Sequence, residues 1–336
     1  MFCLNQNDLI NDIKKYYGLN VLSLDFLPIG ADFNTNVFQL KTDEKLNYFL
    51  KIRRNQFNKF SVYAPKYLSE QGVDHLIAPI KTINGELWII IDSYMMAIYP
   101  YVKGENAIEH PMSKQQWAQL GRTVKKIHET ATNIQFLQDI KHEDFHDEWR
   151  KKLTAFILQM LDKVYDDPLV NNVATFLQSK SQEILAFIES ADSLANKIQN
   201  KQHEFVLCHA DIHGWNILID EYERLFLIDW DTLILSPRER DLMFIGAGIW
   251  QSGISSSEEE RWFYEGYGRT KVDNQIICYY RLERIIQDIV EYCEHIFLSN
   301  DNDENKAVSF EYLKSNFDTN GTLAKAYLII PEHSEK

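Results

Sequence analysis

The sequence predicts an α+β protein, with a small antiparallel β-sheet at its N-terminal end and a larger, mainly helical C-terminal part. Two observations support this prediction. Up to about residue 101, short runs of β-branched and aromatic residues alternate with polar turns, as is typical of strands. Beyond Lys103-Gly104, apolar residues recur at helical spacing over long stretches. At 336 residues the chain is longer than a single hydrophobic core usually supports, so we expect two lobes.

The N-terminal part is predicted to contain two helices and a five-stranded sheet. An amphipathic helix from Asp8 to Tyr17 ends at Gly18. A second helix over residues 57–71 has to accommodate Pro65 by a kink or a break. Asn84-Gly85 indicates a hairpin between residues 76–83 and 86–92. Further strands are predicted over residues 21–29, 37–41, 48–52 and 95–101, so six candidate segments are available for the five-stranded sheet.

The C-terminal part is predicted to be helical, with strands only around one motif. Ser113 and Gln116 form a capping box at the start of a helix with one continuous apolar face. Further helices are predicted over residues 141–163, 167–198, 239–250, 257–267, 273–299 and 304–317, and short strands over 205–208, 217–219 and 225–228. We therefore expect an N-terminal lobe of residues 1–101, a connector of residues 102–104 and a helical lobe of residues 105–330.

Composition excludes several classes of protein. A hydrophobic content of 45% with 25% charged residues describes an ordinary globular protein, and the N-terminal residues show no secretory signal. A formal net charge of −14 argues against a nucleic-acid partner, and an acidic surface is compatible with a cationic substrate. No apolar run is long enough to span a membrane, and the four widely spaced cysteines suggest reduced thiols. We expect a cytoplasmic protein with a small-molecule substrate, no membrane partner and no obligate protein partner.

The most informative motif is H-x-D-x-x-x-x-N at residues 209–216, followed by a hydrophobic strand that ends in Asp229-Trp230-Asp231. An Asp and an Asn on one loop can converge with an Asp at the end of a following hairpin strand. Phosphoryl transfer needs such a convergence. Asp211 is the candidate for the base that orients a substrate hydroxyl. Asn216 and Asp229 offer the oxygen ligands that Mg²⁺ prefers.

A zinc site is the alternative interpretation of the same segment, because Cys208, His209, Asp211 and His213 lie close together in the sequence. The two histidines are four residues apart in a predicted extended loop, where they do not share a helix face. The sequence contains no H-E-x-x-H or C-x-x-C motif. Zinc would also leave Asn216 and Asp229 unexplained, so the phosphotransferase interpretation is favoured.

The joint motif resembles the aminoglycoside phosphotransferase family, which comprises the antibiotic kinases and their choline-kinase-like relatives. The resemblance implies the bilobal protein-kinase-like fold, with ATP as phosphate donor, GTP left open, and Mg²⁺ as the metal. Further blocks between about residues 115 and 290 are most similar to the spectinomycin phosphotransferases of this family. They are Trp117-Ala118-Gln119-Leu120-Gly121, Ile127-His128-Glu129-Thr130, the ten residues from Pro237, Phe263-Tyr264-Glu265-Gly266-Tyr267-Gly268 and the seven residues from Tyr279.

The same resemblance implies roles for nucleotide-binding residues in the N-terminal part. Lys51 is expected to pair with the α- and β-phosphates. The turn at residues 30–36 lies where a phosphate-covering loop belongs, with backbone amides and the Thr35 hydroxyl as the contacts. The Pro100 carbonyl and the Val102 N–H fit adenine recognition, beside Tyr99. One feature departs from the family: the helix after Lys51 offers no glutamate nearby, so Lys51 either pairs with another acid, such as Asp229, or is held less firmly.

The roles of the acidic residues after the motif are left open. Asp231 is an acceptor behind the site, a metal ligand or a contact to a cationic substrate. Glu239 and Asp241 follow Pro237 at the start of a helix, where capping and ion pairing that hold the catalytic segment are favoured over a substrate contact. Three functions remain: an O-kinase of spectinomycin or a similar aminocyclitol, a kinase of choline, homoserine, a sugar or another small alcohol, and a nucleotide-binding pseudokinase.

Overall fold

The computed structural model of the protein describes residues 5–28, 35–54, 57–130, 139–160, 163–247, 249, 253–319 and 321–327. The chain divides into two compact units. The first contains residues 1–140 and 211–233, and the second contains residues 141–210 and 234–336. The motif residues from Asp211 to Asp231 therefore belong to the same unit as the N-terminal sheet. The predicted lobe boundaries near residues 101 and 104 remain a prediction.

The order of elements confirms the α+β class, because an antiparallel sheet precedes a mainly helical C-terminal part. The helices are α1 (Gln6–Tyr17), α2 (Phe60–Glu70), α3 (Lys114–Thr130), α4 (Glu148–Met160), α5 (Pro168–Ile198), α6 (Glu239–Leu242), α7 (Ser256–Tyr267), α8 (Asn274–Leu298), α9 (Asp303–Ser315) and α10 (Thr322–Tyr327). The strands are β1 (Val21–Leu27), β2 (Thr35–Thr42), β3 (Asn47–Arg54), β4 (Ile89–Ile91), β5 (Tyr94–Pro100), β6 (Gly104–Asn106), β7 (Phe205–Cys208), β8 (Ile217–Asp220), β9 (Leu225–Leu227) and β10 (Ile234–Pro237).

The N-terminal sheet has five antiparallel strands in the order β1-β2-β3-β5-β4. Helix α1 contributes Leu9 and Ile13 to a buried cluster with Leu50 and Ile52 of β3. Because successive side chains of a strand point to opposite faces, Lys51 lies on the other face of the sheet. The register places Lys51 opposite Val37 on one side and Ala97 on the other. Lys51 thus lies near the middle of a central strand.

Helix α2 packs on the face of the sheet that carries Lys51. Val62 of α2 shares a buried cluster with Met95 and Ala97 of β5. Pro65 lies inside α2, and the helix continues past it to Glu70. Of the kink or break predicted at Pro65, the break is therefore excluded. Gly72 follows in the left-handed region, with φ +81°.

The hairpin predicted at Asn84-Gly85 is wrong. A turn does form there, and the Thr82 N–H donates to the Glu86 carbonyl over 2.8 Å. Among the described residues, however, positions 76–83 form no strand: Leu76 makes a single bridge to Leu227. The strand pair is instead β4–β5, with a two-residue turn at Asp92 and Ser93, where Asp92 has φ +54°. Aspartate tolerates this conformation, but Asp-Ser is a weaker sequence signal than Asn-Gly.

Two predicted helices are shorter in the structure because tertiary contacts use their backbone. The helix predicted over 141–163 begins only at Glu148, since the Glu143 N–H donates to the Leu235 carbonyl over 2.8 Å. The helix predicted over 239–250 ends at Leu242. The Arg281 guanidinium donates to the carbonyls of Met243 and Ile245, over 2.8 and 2.7 Å, which a longer helix would use. Strands β6 and β10 and helix α10 were not predicted.

The second unit is built around α8, which contacts α4, α5, α6, α9 and α10. Its largest fully buried side chains include Tyr279, Tyr280, Phe187 and Phe263. Cys208, Cys278 and Cys293 are free, buried thiols, as the sequence suggested, and Cys3 lies outside the described residues. In the part of the chain that the structure describes, no helix has both the length and the apolar character needed to cross a bilayer.

Candidate active site

The segment that leads into the motif is held by a buried carboxylate of the second unit. Strands β7 and β10 pair antiparallel, with Cys208 opposite Ile234. Asp241 is almost fully buried and accepts hydrogen bonds from the His209 and Ala210 backbone N–H groups, over 3.0 and 2.6 Å. Ala210 has φ +67°, a conformation that costs a non-glycine residue energy. The Asp241 contacts therefore stabilise the strained backbone directly before Asp211.

Within the first unit, Asp211 is tied to Asn216 and His213. The Asn216 side-chain Nδ2 donates to Asp211 Oδ2 over 2.9 Å and to the Asp211 backbone carbonyl over 3.0 Å. His213 Nε2 lies 3.2 Å from Asp211 Oδ1. All three side chains are largely buried. Since both carboxylate oxygens have partners, Asp211 is confined to one orientation, which suits a group that has to orient a hydroxyl.

Asp229 is brought beside Asn216 by the hairpin of β8 and β9. Ile217 lies opposite Leu227, and the Ile228 N–H donates to the Asn216 carbonyl over 3.0 Å. Asp229 then leaves the strand in the left-handed region, with φ +63°. A strained backbone at such a residue is typical of sites where a side chain must point in a direction that regular structure forbids. The convergence that the motif predicted is present in the backbone.

Lys51 lies between two carboxylates. Its Nζ is 3.2 Å from Asp229 Oδ1 and 2.7 Å from Asp231 Oδ2. Asp231 also forms an ion pair with Arg53 Nη2. The two acids differ in accessibility: the Asp229 side chain is 47% exposed and the Asp231 side chain 22% exposed. Lys51 therefore pairs with both acids, of which the sequence had indicated only Asp229.

Electrostatics separates the two aspartates. The partial burial of Asp229 raises its pKa, with Lys51 opposing that rise and Asp231 adding to it. Burial also acts to raise the pKa of Asp231, but Lys51, a hydrogen bond with Asp229 and Arg53 together outweigh it and hold this pKa well below its ordinary value. Asp231 therefore stays ionised beside the two cations. An additional positive charge would stabilise the ionised form of Asp229 more than that of Asp231.

The remaining predicted site residues occupy three places. Thr35 begins β2, and its hydroxyl accepts a hydrogen bond from Arg53 Nε over 3.0 Å; most of its turn, residues 30–34, lies outside the described residues. Pro100 ends β5, opposite Tyr48, and Val102 follows it before β6. Glu239 belongs to the second unit, is buried and accepts a hydrogen bond from the Asp273 N–H over 3.0 Å. That contact gives Glu239 a structural role beside the start of α8.

The environment of the Cys208 thiol argues against the zinc interpretation. Cys208 is fully buried, and its Sγ lies 3.7 and 3.6 Å from the carbonyls of Ser236 and Pro237. Burial raises the pKa of this thiol well above its ordinary value. Zinc binds the thiolate, which this environment disfavours.

Comparison with known proteins decides the family. The model of the phosphotransferase enzyme family matches residues 25–271, a range that contains Lys51, Asp211, Asn216, Asp229 and Asp231. The chain belongs to this phosphotransferase enzyme family. The sequence resemblance is thereby confirmed, and so is the expectation of an enzyme of the small-molecule phosphotransferase class.

Solved structures extend this similarity over nearly the whole phosphotransferase. A spectinomycin phosphotransferase, APH(9)-Ia, crystallised with ADP and spectinomycin, is 32% identical with a TM-score of 0.89, covering 98% of this chain and 99% of that one. Its AMP-bound complex gives 29% identity and a TM-score of 0.84, with 99% and 100% covered. An amicoumacin kinase bound to AMP-PNP and Ca²⁺ is 15% identical with a TM-score of 0.63 over 93% of each chain, which shows the shared protein-kinase-like fold.

Two features of the phosphotransferase site were missed or left open by the sequence. Arg53 was not singled out, although Lys51-Ile52-Arg53 on a strand places both cations on one face. Asp241 was expected to support the catalytic segment, but its two backbone acceptor contacts could not be read from a linear pattern. Both features depend on residues that are distant in sequence or separated by a turn of unknown geometry.

Proposed function

We propose that the protein transfers the γ-phosphoryl group of ATP to a hydroxyl of a small cationic aminocyclitol, with spectinomycin as the first candidate. The observation that supports this substrate most is the near-full-length similarity to a spectinomycin phosphotransferase, at a TM-score of 0.89. Other kinases of the same fold are far less similar, such as a choline kinase from Streptococcus pneumoniae at 15% identity and a TM-score of 0.57. Phosphorylation of the antibiotic would inactivate it and confer resistance.

In this proposal Asp211 orients the acceptor hydroxyl. Its two carboxylate oxygens contact Asn216 and His213, so the carboxylate is already oriented before the substrate binds. In the loose transition state of phosphoryl transfer, little proton abstraction is needed early. Asp211 accepts the hydroxyl proton as the bond to phosphorus forms, while the bond from the γ-phosphorus to the leaving oxygen of ADP breaks.

The oxygen donors of Asn216 and Asp229 fit Mg²⁺. The Asn216 nitrogen donates to Asp211, so its amide oxygen is the atom that can take a cation. Asp229 is the more exposed and less firmly ionised of the two aspartates beside Lys51, and a divalent cation would favour its charged form. When bound there, Mg²⁺ supplies the neutralisation of phosphate charge that this reaction requires.

The nucleotide is proposed to bind at the end of β5, beside Pro100. The Pro100 carbonyl and the Val102 N–H would recognise the adenine. Lys51 would bind the α- and β-phosphates. The Thr35 hydroxyl, in the phosphate-covering turn, would contact the phosphates. Proline lacks an N–H but keeps its carbonyl, so it suits the acceptor role. These backbone contacts are compatible with ATP and with GTP.

Asp231 and Glu239, the two candidate contacts to a cationic substrate, both have partners within the protein. Asp231 is occupied by Lys51 and Arg53, and Glu239 is buried against the Asp273 N–H. Both contacts favour roles within the protein over a contact to the substrate. The net charge of −14 still favours the approach of a cation from a distance.

A pseudokinase is disfavoured because Asp211, Asn216 and Asp229 are all present and the first two are hydrogen-bonded to each other. The test is a panel in which purified protein, ATP and Mg²⁺ are offered spectinomycin, classical aminoglycosides, choline, homoserine and simple sugars. We expect phosphorylated spectinomycin and raised spectinomycin tolerance in a susceptible bacterium. Phosphorylation of only choline or a neutral alcohol would refute the antibiotic substrate and leave the kinase activity standing.

The matched control for that panel is Asp211→Asn. Loss of a positioned base or orienting group costs on the order of 10²–10⁴-fold in turnover. Because Asp211 addresses the hydroxyl, ATP affinity should stay near that of the wild type. Retention of most turnover in this variant would show that the role of Asp211 is wrong.

A further inference from the structure

The helix that follows Lys51 supplies no carboxylate to orient it. No acidic residue lies in the first turn of α2, and Glu70 at its far end lies 3.4 Å from Lys66 Nζ and 3.8 Å from Lys81 Nζ. A lysine on a four-carbon stem is flexible, so a catalytic lysine needs a partner that limits its rotamers. Within the described residues, the carboxylates that contact Lys51 are Asp229 and Asp231.

Asp231 is the better suited of these two for a permanent partner. Its contact to Lys51 is the shorter one, at 2.7 Å against 3.2 Å. It is also the less exposed acid, and the Arg53 guanidinium holds it from another direction. Arg53 is itself anchored, because its Nε donates to the Thr35 hydroxyl over 3.0 Å and Thr35 lies directly opposite Arg53 in the β2–β3 register.

Arg53 changes how strongly Asp231 compensates the charge of Lys51. Lys51 facing Asp231 alone would have its positive charge fully compensated, which would weaken its attraction for phosphates. With Arg53 present, Asp231 is neutralised by a second cation that always stays protonated. Because Asp231 divides its charge between Lys51 and Arg53, it orients Lys51 and compensates the lysine charge less than a carboxylate with one partner would.

We propose that Arg53 and Asp231 form a positioning pair that takes the place of a helix glutamate and orients Lys51 toward the nucleotide phosphates. This inference rests on the proposed function, in which Lys51 binds ATP. It assigns Asp231 to the lysine and leaves Asp229, with Asn216, to the metal. Arg53 and Asp231 act through Lys51 and do not themselves touch the transferred group.

The test uses Arg53→Met, Asp231→Asn and the double variant in the full-length protein, with Lys41→Gln as the matched control. Lys41 forms an exposed ion pair with Asp25, at 3.0 Å, on the same sheet. The readouts are ADP and ATP affinity by calorimetry, KM for ATP against kcat, and the Mg²⁺ concentration that gives half-maximal activity. Nucleotide affinity needs no acceptor, so it remains measurable even if spectinomycin is not the substrate.

We expect each single variant to weaken nucleotide affinity about ten- to hundredfold, the range set by loss of one hydrogen bond to a charged group. The value of kcat should fall less than the affinity, and the Mg²⁺ requirement should not change. The double variant should be no worse than Arg53→Met, because both substitutions break the same pair. Arg53→Lys should recover part of the affinity, since it keeps the charge and loses the planar fork.

Two results would overturn the proposal. Wild-type nucleotide affinity in both single variants would show that Lys51 needs no such pair. A raised Mg²⁺ requirement in Asp231→Asn, with nucleotide affinity restored by saturating Mg²⁺, would make Asp231 a metal ligand instead. A general folding defect is distinguished by the melting temperature, which should remain within a few degrees of that of Lys41→Gln.

Discussion

Each of the two units contains a cluster of basic and acidic side chains. In the first unit, Lys51 and Arg53 face Asp229 and Asp231. In the second, Arg150 on α4 faces Glu283 on α8 and Asp192 on α5. By composition the two clusters look alike.

The clusters differ in how completely their cations are used. The Arg150 side chain is 4% exposed, and its donors reach the Glu283 carboxylate, the Phe145 carbonyl over 3.2 Å and the Tyr279 hydroxyl over 3.4 Å. Its Nε lies 2.7 Å from Asp192 Oδ1. At Lys51, by contrast, the ammonium contacts two carboxylates, and one of them, Asp229, is half exposed.

Their electrostatics point in opposite directions. Burial raises the pKa of Glu283 from 4.5 to about 7, although Arg150 opposes that rise. At Asp231 the two cations prevail over burial and lower the pKa. A charge cluster is thus a candidate site when its charges stay accessible and incompletely compensated, and a structural element when burial has closed it. The following predictions test this distinction, from the largest expected effect to the smallest.

Removing Arg150 should destabilise the protein without changing the chemistry. Above about pH 7, where Glu283 is ionised, Arg150→Met leaves this buried carboxylate without its partner, and breaking a buried ion pair from one side costs about 3–5 kcal/mol. Urea unfolding should report that loss in the free energy of unfolding. Per folded molecule, KM and kcat should match the wild type, and a specific loss of ATP affinity would break the comparison.

Removing Lys51 should have the opposite effect. Lys51→Ala should lower kcat/KM for ATP by about 10²–10³-fold, the range for loss of one group that stabilises developing charge. The free energy of unfolding should change by less than about 1 kcal/mol, as for partly exposed ion pairs. Steady-state kinetics and urea unfolding of one preparation measure both quantities. Calorimetry that detects no Mg²⁺-dependent nucleotide binding to the wild type would contradict the assignment.

The metal ligands should be separable from the lysine and from the base. Asn216→Ala and Asp229→Ala should each raise the Mg²⁺ concentration for half-maximal activity by roughly tenfold or more, a free-energy change of about 1.4 kcal/mol. Asp211→Asn serves as the control, since it should lower turnover at every Mg²⁺ concentration. An unchanged Mg²⁺ dependence in both alanine variants would place the metal elsewhere.

Glu283 should give stability a pH dependence that Glu283→Gln lacks. Below pH 4.5 the carboxyl is protonated in both states, and between 4.5 and about 7 the unfolded chain ionises while the folded protein retains the proton. The stabilisation is therefore present below pH 4.5 and lost as pH rises through about 7. Relative to Glu283→Gln, the wild type should lose stability over that window. A constant difference between the two unfolding free energies would contradict the raised pKa.

Salt should produce the smallest effect. If the substrate is a cation drawn to the acidic protein, its affinity should fall by roughly two- to threefold as ionic strength rises through the physiological range, where charges are screened over about 8–10 Å. The stability that Arg150 provides should be insensitive to the same change, because buried pairs are screened much less. Spectinomycin affinity independent of salt would argue for recognition by neutral contacts.

The secondary structure was predictable where local pattern and tertiary packing agree. Helices α5 and α8 and strand β7 were predicted to within a residue or two, because long runs at helical spacing and a short apolar run need no distant partner to be recognised. The two helix boundaries that were wrong lie where distant groups bind the backbone. Arg281 ends α6, and the Leu235 carbonyl delays α4.

By itself, the sequence determined the α+β class, the motif of Asp211, Asn216 and Asp229, and the family to which the chain belongs. Residue type and spacing within one loop and one hairpin suffice for these, since the atoms concerned are neighbours along the chain. Only the tertiary structure decided the partners of Lys51, which come from about 180 positions further along the chain. It also decided which acid remains accessible, because exposure depends on packing around the whole site, and no linear pattern records that packing.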